Sequence, residues 1–328
     1  MSRYSRKIFL VTAPLILLIL LTFIPTKNYI NSKSIRIIFT GDMMLDRGTR
    51  KVIEKKSLSF LFDDIDGLLK QHDIVVANAE GAFCDRGLTP SPKAFNFRMD
   101  PEWLPQLRSE GITHVCLANN HSIDYGKKGL EQTYQNLIRN DITPVGYATE
   151  GSSCSPVLIK KNGITLALFS SSFLYEKESS GICHESGVNL THRIRNFKKN
   201  HPGVLIILCL HWGLEMRKLP EKQQQEQAHS FINAGADLII GHHPHVVQPV
   251  EQYKGKWIFY SLGNFIFDNN QILSNKGIFA CFSVGNNQIN LDKTIPFHIR
   301  NSKPFLMSDT EAEQFMENSV NFTSTVAE

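Results

Sequence analysis

Several short segments carry the residues of this sequence that can do chemistry, and most follow directly on an apolar run. FTGDMMLDRG places Asp42 after Gly41 at the end of IRIIFT. The glycine allows a tight turn there, and the carboxylate projects beyond the strand end. A lone Gly-Asp serves equally as a turn or helix cap. VVANAEG supplies Asn78 and Glu80, which share strand parity and so point to one face. CLANNHSIDYG supplies Asn119, Asn120, His121 and Asp124. An amide oxygen can ligate a cation and the adjacent imidazole can trade protons with a substrate oxygen; the same residues also read as an Asx turn capping the next helix. LIILCLHWGLE sets His211 after a run too apolar for the surface, followed by Trp212, Gly213 and Glu215. A single histidine in that place is more often a satisfied core residue. DLIIGHHPHVVQ is the most specific segment, because His242, His243 and His245 crowd one turn that Pro244 stiffens. Three imidazoles are costly to leave unpaired in a dry site, and metal ligation satisfies them. KWIFYSLGNF ends in Ser261, Gly263 and Asn264, which line the same crevice or form a turn.

Oxygen and imidazole donors without thiolate suit Mn, Zn, Fe or Mg better than copper or an iron-sulfur cluster. The cysteines do not compete. Cys116, Cys209 and Cys281 sit inside apolar strands as small core residues, while Cys84, Cys154 and Cys183 fall in loops. An exported domain could oxidise Cys154 with Cys183, but sequence leaves that pairing open. There is no G-x-S-x-G elbow, P-loop, G-x-G-x-x-G or H-E-x-x-H.

The elements that must position these residues read as strands separated by amphipathic helices, an α/β pattern. Strands are expected at IRIIFT, IVVANAE, THVCLAN, ITLALFSS, VLIILCLHW, DLIIGHH and KWIFYSLGN, and helices over 60–71, 126–140 and 221–234, the last closed by Gly235. The candidate ligands therefore fall at the carboxyl ends of strands, where an open α/β sheet places its binding crevice. From Val246 to Leu291, short strands separated by Lys-Gly, Asn-Asn and Gly-Asn-Asn turns suggest antiparallel pairing. One domain is expected over 35–300, with 301–328 as a polar surface extension.

Residues 8–26, IFLVTAPLILLILLTFIPT, lack any charge and as a helix would span roughly 28 Å, close to the thickness of a bilayer core. Residues 1–7 are a basic flank with Arg3, Arg6 and Lys7, and 27–34 a short linker. No small-x-small cleavage site follows, so an uncleaved single-pass anchor with the domain outside the cytoplasm is expected, the alternative being secretion after signal cleavage. Without the three basic residues of the flank, the formal charge of +4 falls to about +1, which implies no nucleic-acid-binding field.

Taken in order, GD, NAE, NNHSIDYG, HWG.E, GHHPHV and SLGNF resemble the bacterial capsule-synthesis family of the CapA type, associated with poly-γ-glutamate synthesis, within the calcineurin-like metallophosphatase superfamily. The resemblance runs from about Ile35 to Asp268. It implies a four-layer α/β/β/α sandwich with one or two divalent metal ions between the sheets. By that resemblance Asp42, Glu80, Asn120, His211, His243 and His245 are metal ligands, with Glu80 where the superfamily usually has a bridging aspartate. His121 contacts the leaving oxygen as catalytic acid. Asn78, Asp124, Glu215 and Asn264 are left as substrate-contacting or supporting residues, and His242 has no counterpart in the H-x-H pair. One departure stands out: the superfamily usually begins D-x-H, but Asp42 is followed by Met43 and Met44, and a thioether is a poor ligand for a hard cation. That position is left to bind weakly, to borrow Glu215 or a water, or to stay empty.

What the resemblance implies is a membrane-anchored, exported metal-dependent hydrolase or transferase acting on an anionic envelope polymer or its precursor beside membrane-bound capsule synthase subunits. The alternative is a non-catalytic polymer-binding or scaffold subunit on the same fold. For the topology, a tag on Glu328 is expected to be digested when protease is added to intact spheroplasts. A tag cut only after lysis would reverse the orientation.

Overall fold

The computed structural model describes residues 34–148, 154–174, 181–268, 272–319 and 323–325. The expected membrane segment 8–26 lies outside them, and no helix among the described residues is long and apolar enough to cross a membrane. In chain order the elements are β1 (Ile35–Met43), α1 (Arg47–Lys55), α2 (Asp66–Lys70), β2 (Ile74–Ala79), β3 (Ala82–Phe83), β4 (Arg98–Met99), α3 (Leu104–Ser109), β5 (His114–Cys116), α4 (Gly126–Arg139), β6 (Thr143–Val145), β7 (Val157–Lys161) and β8 (Ile164–Ser172). Then follow α5 (Gly187–Asn200), β9 (Leu205–His211), α6 (Lys222–Ala234), β10 (Leu238–His242), β11 (Val250–Tyr253), β12 (Lys256–Phe259), β13 (Asn264–Ile266), β14 (Lys276–Gly285), β15 (Gln288–Arg300), β16 (Lys303–Leu306), α7 (Asp309–Ser319) and β17 (Thr323–Thr325).

Two mixed sheets result, ordered β16-β15-β14-β1-β2-β5-β6, with β13 also paired to β1, and β17-β11-β12-β10-β9-β8-β7. The period-2 alternation of side chains explains how they stack. In β1, Ile37 and Phe39 join an inner core with Leu168, Ile207, Cys209 and Ile240 of the second sheet, while Ile38 joins an outer core under Leu69, Leu107 and Leu137. In β9, Ile207 and Cys209 face inward, and Ile206 and Leu208 face outward onto Leu190 and Phe231. Central strands buried on both faces must be apolar throughout, which is why these runs are so clear in the sequence. The layers are therefore helix, sheet, sheet, helix. Cys116, Cys209 and Cys281 are buried free thiols, and Cys84, expected in a loop, is buried too.

Of the expected helices, α4 and α6 form with bounds within a residue of expectation. In α6 a reciprocal cap between Glu221 and Gln224 starts the helix, and Gly235, at φ 119°, ends it in the left-handed region. The helix expected over 60–71 does not form as one piece. A 3-10 turn at Ser59–Leu61, i+3 hydrogen bonds at Phe62 and Ile65, and the short α2 together bury Leu61, Phe62, Ile65 and Leu69. KWIFYSLGN also divides: β12 belongs to the second sheet and β13 to the first, with the crossover at 260–263. Within the expected polar extension 301–328, the described residues join the fold. β16 pairs with β15, β17 pairs with β11, and Phe315 and Met316 of α7 pack against the inner core.

His114 opens β5, where burial, with the charge of Arg108, pushes its imidazole down to about 4. The folded protein thus holds it neutral where the unfolded chain, near 6.5, takes up a proton. Stability is expected to fall as pH drops from 6.5 toward 4, by up to about 1.4 kcal/mol per pH unit from this group. In urea melts at pH 6.5, 5.5 and 4.5, His114→Gln should flatten the slope; an unchanged slope would remove His114 as a source.

Candidate metal centre

Asp42 does not follow a turn at the end of its strand, as the sequence suggested. It lies within β1, past a register shift between Phe39 and Asp42, opposite Asn78 of β2 and Asn264 of β13. The glycine before it is required by space: a Cβ on Gly41 would lie 2.0 Å from the Gly263 carbonyl oxygen. β9 and β10 end side by side, with His211 in register with His242. The chain then turns through His243 (φ 97°) and His245 (φ 57°). Left-handed backbone at two non-glycine residues is unfavourable and persists only where surrounding structure enforces it. Glu80 follows β2, and Asn119 to His121 follow β5, so the carboxyl ends of strands from both sheets meet at one point.

There, Asp42 Oδ1 accepts from Asn78 Nδ2 at 2.9 Å and lies 3.2 Å from His242 Nδ1. Asp42 Oδ2 accepts the His243 N–H at 3.3 Å and lies 3.2 Å from His245 Nδ1. His245 Nδ1 is also 2.9 Å from Asn264 Oδ1 and 3.8 Å from Glu80 Oε2. His211 Nε2 is 2.9 Å from Asn120 Oδ1 and 3.4 Å from Glu80 Oε1. Glu80 is wholly buried, and neither of its oxygens has a hydrogen-bond partner; His243 Nδ1 is buried and unpartnered as well. Two donor triads share Glu80: one with Asp42 and His211, the other with His243 and His245.

These atoms fit a divalent cation. Donors bound to one ion at about 2.0–2.2 Å lie about 3–3.6 Å from each other; within the triads His211 Nε2 and His245 Nδ1 lie 3.4 and 3.8 Å from the Glu80 oxygens, and all the donor atoms of each triad lie within 4.8 Å of one another. The electrostatics agree. Burial raises Asp42, but His242 and His245 outweigh it and hold the carboxyl well below the usual range. Burial lifts Glu80 well above the carboxylate range despite the opposing pull of His245. Burial lowers His211 well below its ordinary value and, with His245, pushes His243 down to about 3. Burial would lower His245 too, but Glu80 and Asp42 lift it to about 10. Without an ion, His211 and His243 are thus neutral imidazoles and Asp42 a carboxylate, while Glu80 and His245 keep protons that a bound cation would displace.

His121 borders this set. Its Nδ1 meets Asp124 Oδ2 at 2.8 Å, and its ring stacks on Phe97 with centroids 4.1 Å apart. Asp124 is a buried hub, accepting also from Phe97 N–H at 2.7 Å and lying 3.4 Å from Lys93 Nζ. Asn119 ties the ligand segments together, donating to Asn78 Oδ1 and the Ala79 carbonyl while accepting the His121 N–H. Met44 is fully buried with Phe97 and Phe267 in a small apolar cluster, and its sulfur accepts from Asp46 N–H. Glu215 is exposed and in neither triad, contributing only its charge near Glu80. His242 lies against Asp42 and supports it. Phe97 and Lys93 escaped notice in the sequence because they lie on the long loop between β3 and β4, which has no periodicity or motif.

Fold and site together define a four-layer α/β domain with a buried carboxylate, imidazole and amide donor set between its sheets. The chain belongs to the family described as bacterial capsule synthesis protein PGA_cap, which its residues 36–269 match. It is similar to the PGA biosynthesis protein CapA of Bacillus subtilis (strain 168), 29% identical over 275 residues, 81% of this chain and 72% of that protein. The capsule biosynthesis protein CapA of Bacillus anthracis is 28% identical over 292 residues, covering 85% and 71%. Solved structures with a looser likeness, both 14% identical, include the calcineurin-like phosphoesterase YfkN from Bacillus subtilis, at a TM-score of 0.47 over 87% of this chain and 96% of that chain. A phosphatase from Mycoplasma pneumoniae gives a TM-score of 0.49 over 87% and 98%.

Loss of a direct ligand should outweigh loss of a support, which is itself worth roughly 10- to 100-fold in metal affinity. His243→Ala and His245→Ala are therefore expected to lower bound metal, measured by elemental analysis, far more than His242→Ala. Equal metal content in all three would dismiss the ligand assignment.

Proposed function

We propose that this chain is a membrane-anchored, exported, metal-dependent hydrolase or transferase that works in the synthesis, release or export of a capsule or poly-γ-glutamate polymer. The bond it acts on is a phosphoester or a γ-glutamyl-type amide. The observation that carries this reading is Glu80, a carboxyl group sealed from water without a hydrogen-bond partner and shared by two triads of potential ligands whose donor atoms lie within 4.8 Å of one another. Asp42, Glu80, Asn120, His211, His243 and His245 would hold one or two ions. Such an ion polarises a substrate oxygen and lowers the pKa of a bound water. Export is supported by the disulfide between Cys154 and Cys183, a bond that persists in oxidising compartments. Names of the relatives support the polymer, and the residues 8–26 support the anchor.

His121 is the proton carrier. Asp124 accepts the hydrogen bond of the Nδ1–H and so orients the ring, while Phe97 holds the ring plane from one face. Nε2 is then the atom that protonates a departing oxygen. Asn120, held by His211, offers only a neutral oxygen and serves binding.

A second reading, a polymer-binding or scaffold subunit of a capsule synthase, is favoured by Met44, whose side chain is committed to an apolar cluster where the superfamily usually has a histidine. The proton-transfer role separates the two. His121→Asn is expected to keep the metal and the fold but to lose about 10²- to 10⁴-fold in turnover of an alkyl phosphodiester. Loss on a nitrophenyl phosphodiester, whose leaving group is already a weak base, should be much smaller. An equal loss on both would remove His121 as the acid, and no hydrolysis by the metal-loaded wild type would favour the scaffold reading.

A further inference from the structure

Arg47 stands over Phe97, the ring stacked on His121, in an arrangement that stability does not explain. Its backbone is left-handed (φ 53°), a conformation unfavourable for a non-glycine residue. Its guanidinium carbon lies 5.6 Å from the ring centres of both Phe95 and Phe97. Nε lies 3.1 Å from Asp268 Oδ2, which also accepts the Gly48 N–H at 2.9 Å. A Cβ on Gly48 would come 2.8 Å from Asp268 Cβ, so the glycine is what lets that carboxylate approach. The Arg47 side chain is nonetheless 45% exposed, and a pair that open returns little stability. Phe95 is 62% exposed, an apolar ring whose clear contact is this guanidinium.

Two aromatic rings and one carboxylate at Nε thus flank the guanidinium, and its two Nη groups have no partner among the described residues. Preorganisation of that kind leaves a planar fork ready for a bidentate oxyanion. The location gives it meaning, because Phe97 is the ring stacked on His121, two ring contacts from the guanidinium. Lys93, on the same loop, adds a second positive charge at the Asn120 carbonyl, 2.7 Å away. We infer that Arg47 recognises an oxyanion, carboxylate or phosphate, carried by the substrate beside the bond that reacts. The inference rests on the proposed function only in placing a substrate at this centre, and it holds for a hydrolase and for a polymer-binding subunit alike.

The test reads binding without turnover. Fluorescence anisotropy of the full-length protein in detergent would use a fluorescein-labelled γ-linked glutamate decamer, the same decamer with its carboxylates amidated, and short-chain polyphosphate as competitor. Arg47→Gln should weaken binding of the oxyanion probe by about ten- to a hundredfold, the worth of a charge-assisted pair. Arg47→Lys should restore only part, because an ammonium cannot form the fork. An Arg47-dependent affinity for the charged decamer and not its amidated form identifies a carboxylate; the same dependence for polyphosphate alone identifies a phosphate. Metal content equal to wild type would confirm that Arg47→Gln is folded. Wild-type affinity of Arg47→Gln for both charged probes overturns the inference. Arg47-dependent binding by a protein that hydrolyses nothing removes the hydrolase reading and leaves this one standing.

Discussion

A carboxylate with no access to water and no hydrogen-bond donor is costly to bury, and Glu80 sits in that condition beside a second buried carboxylate, Asp42. The surroundings answer with imidazoles: His242 and His245 against Asp42, His211 and His245 against Glu80. Without an ion, the cluster balances itself by holding protons on Glu80 and His245, the two groups whose affinity for protons is raised. A divalent cation would replace those protons and satisfy the orphaned oxygens at once. The left-handed backbone at His243 and His245 serves to bring these groups together.

That service is visible where the sheets meet. Gly41 and Gly241, the glycines of the Gly-Asp and Gly-His-His segments, are each pressed against a carbonyl of the crossover between β12 and β13. A Cβ at either would lie 2.0 Å from the carbonyl oxygen of Gly263 or Tyr260. The crossover is what carries one run of chain from the second sheet to the first, and it delivers Asn264 to His245. Left-handed backbone at His243 and His245 is the local strain of turning donors inward, and it is held by two cores on either side of the second sheet. The same economy applies on the rim, where one loop between β3 and β4 both fixes His121 through Phe97 and Asp124 and frames Arg47.

Much of this was legible from residues alone, for identifiable reasons. Strands buried on both faces are apolar throughout, so β1, β2, β9 and β10 were plain, and with them the donors at their ends. Periodicity over more than three turns marked α4 and α6. Short pieces defeated the same reasoning: the stretch 60–71 keeps an apolar pattern while the backbone follows tighter turns, and the strand Lys303–Leu306 is too short to alternate visibly. Gly41 was read for its conformational freedom when the decisive factor is a carbonyl far along the chain. The pairing of Cys154 with Cys183 depends on a 5.4 Å Cα separation that no spacing in the sequence encodes. Phe97 gains its role from its stack on His121, and Arg47 from its place over Phe97.

The central claim is that this buried donor set holds a divalent cation through oxygen and imidazole. X-ray absorption at the zinc edge of the zinc-loaded protein tests it most directly, since scattering from imidazole rings and from sulfur are distinct. The account predicts nitrogen and oxygen donors at about 2.0–2.2 Å with clear imidazole scattering and no sulfur. A sulfur shell near about 2.3 Å, or a first shell without imidazole, would contradict it.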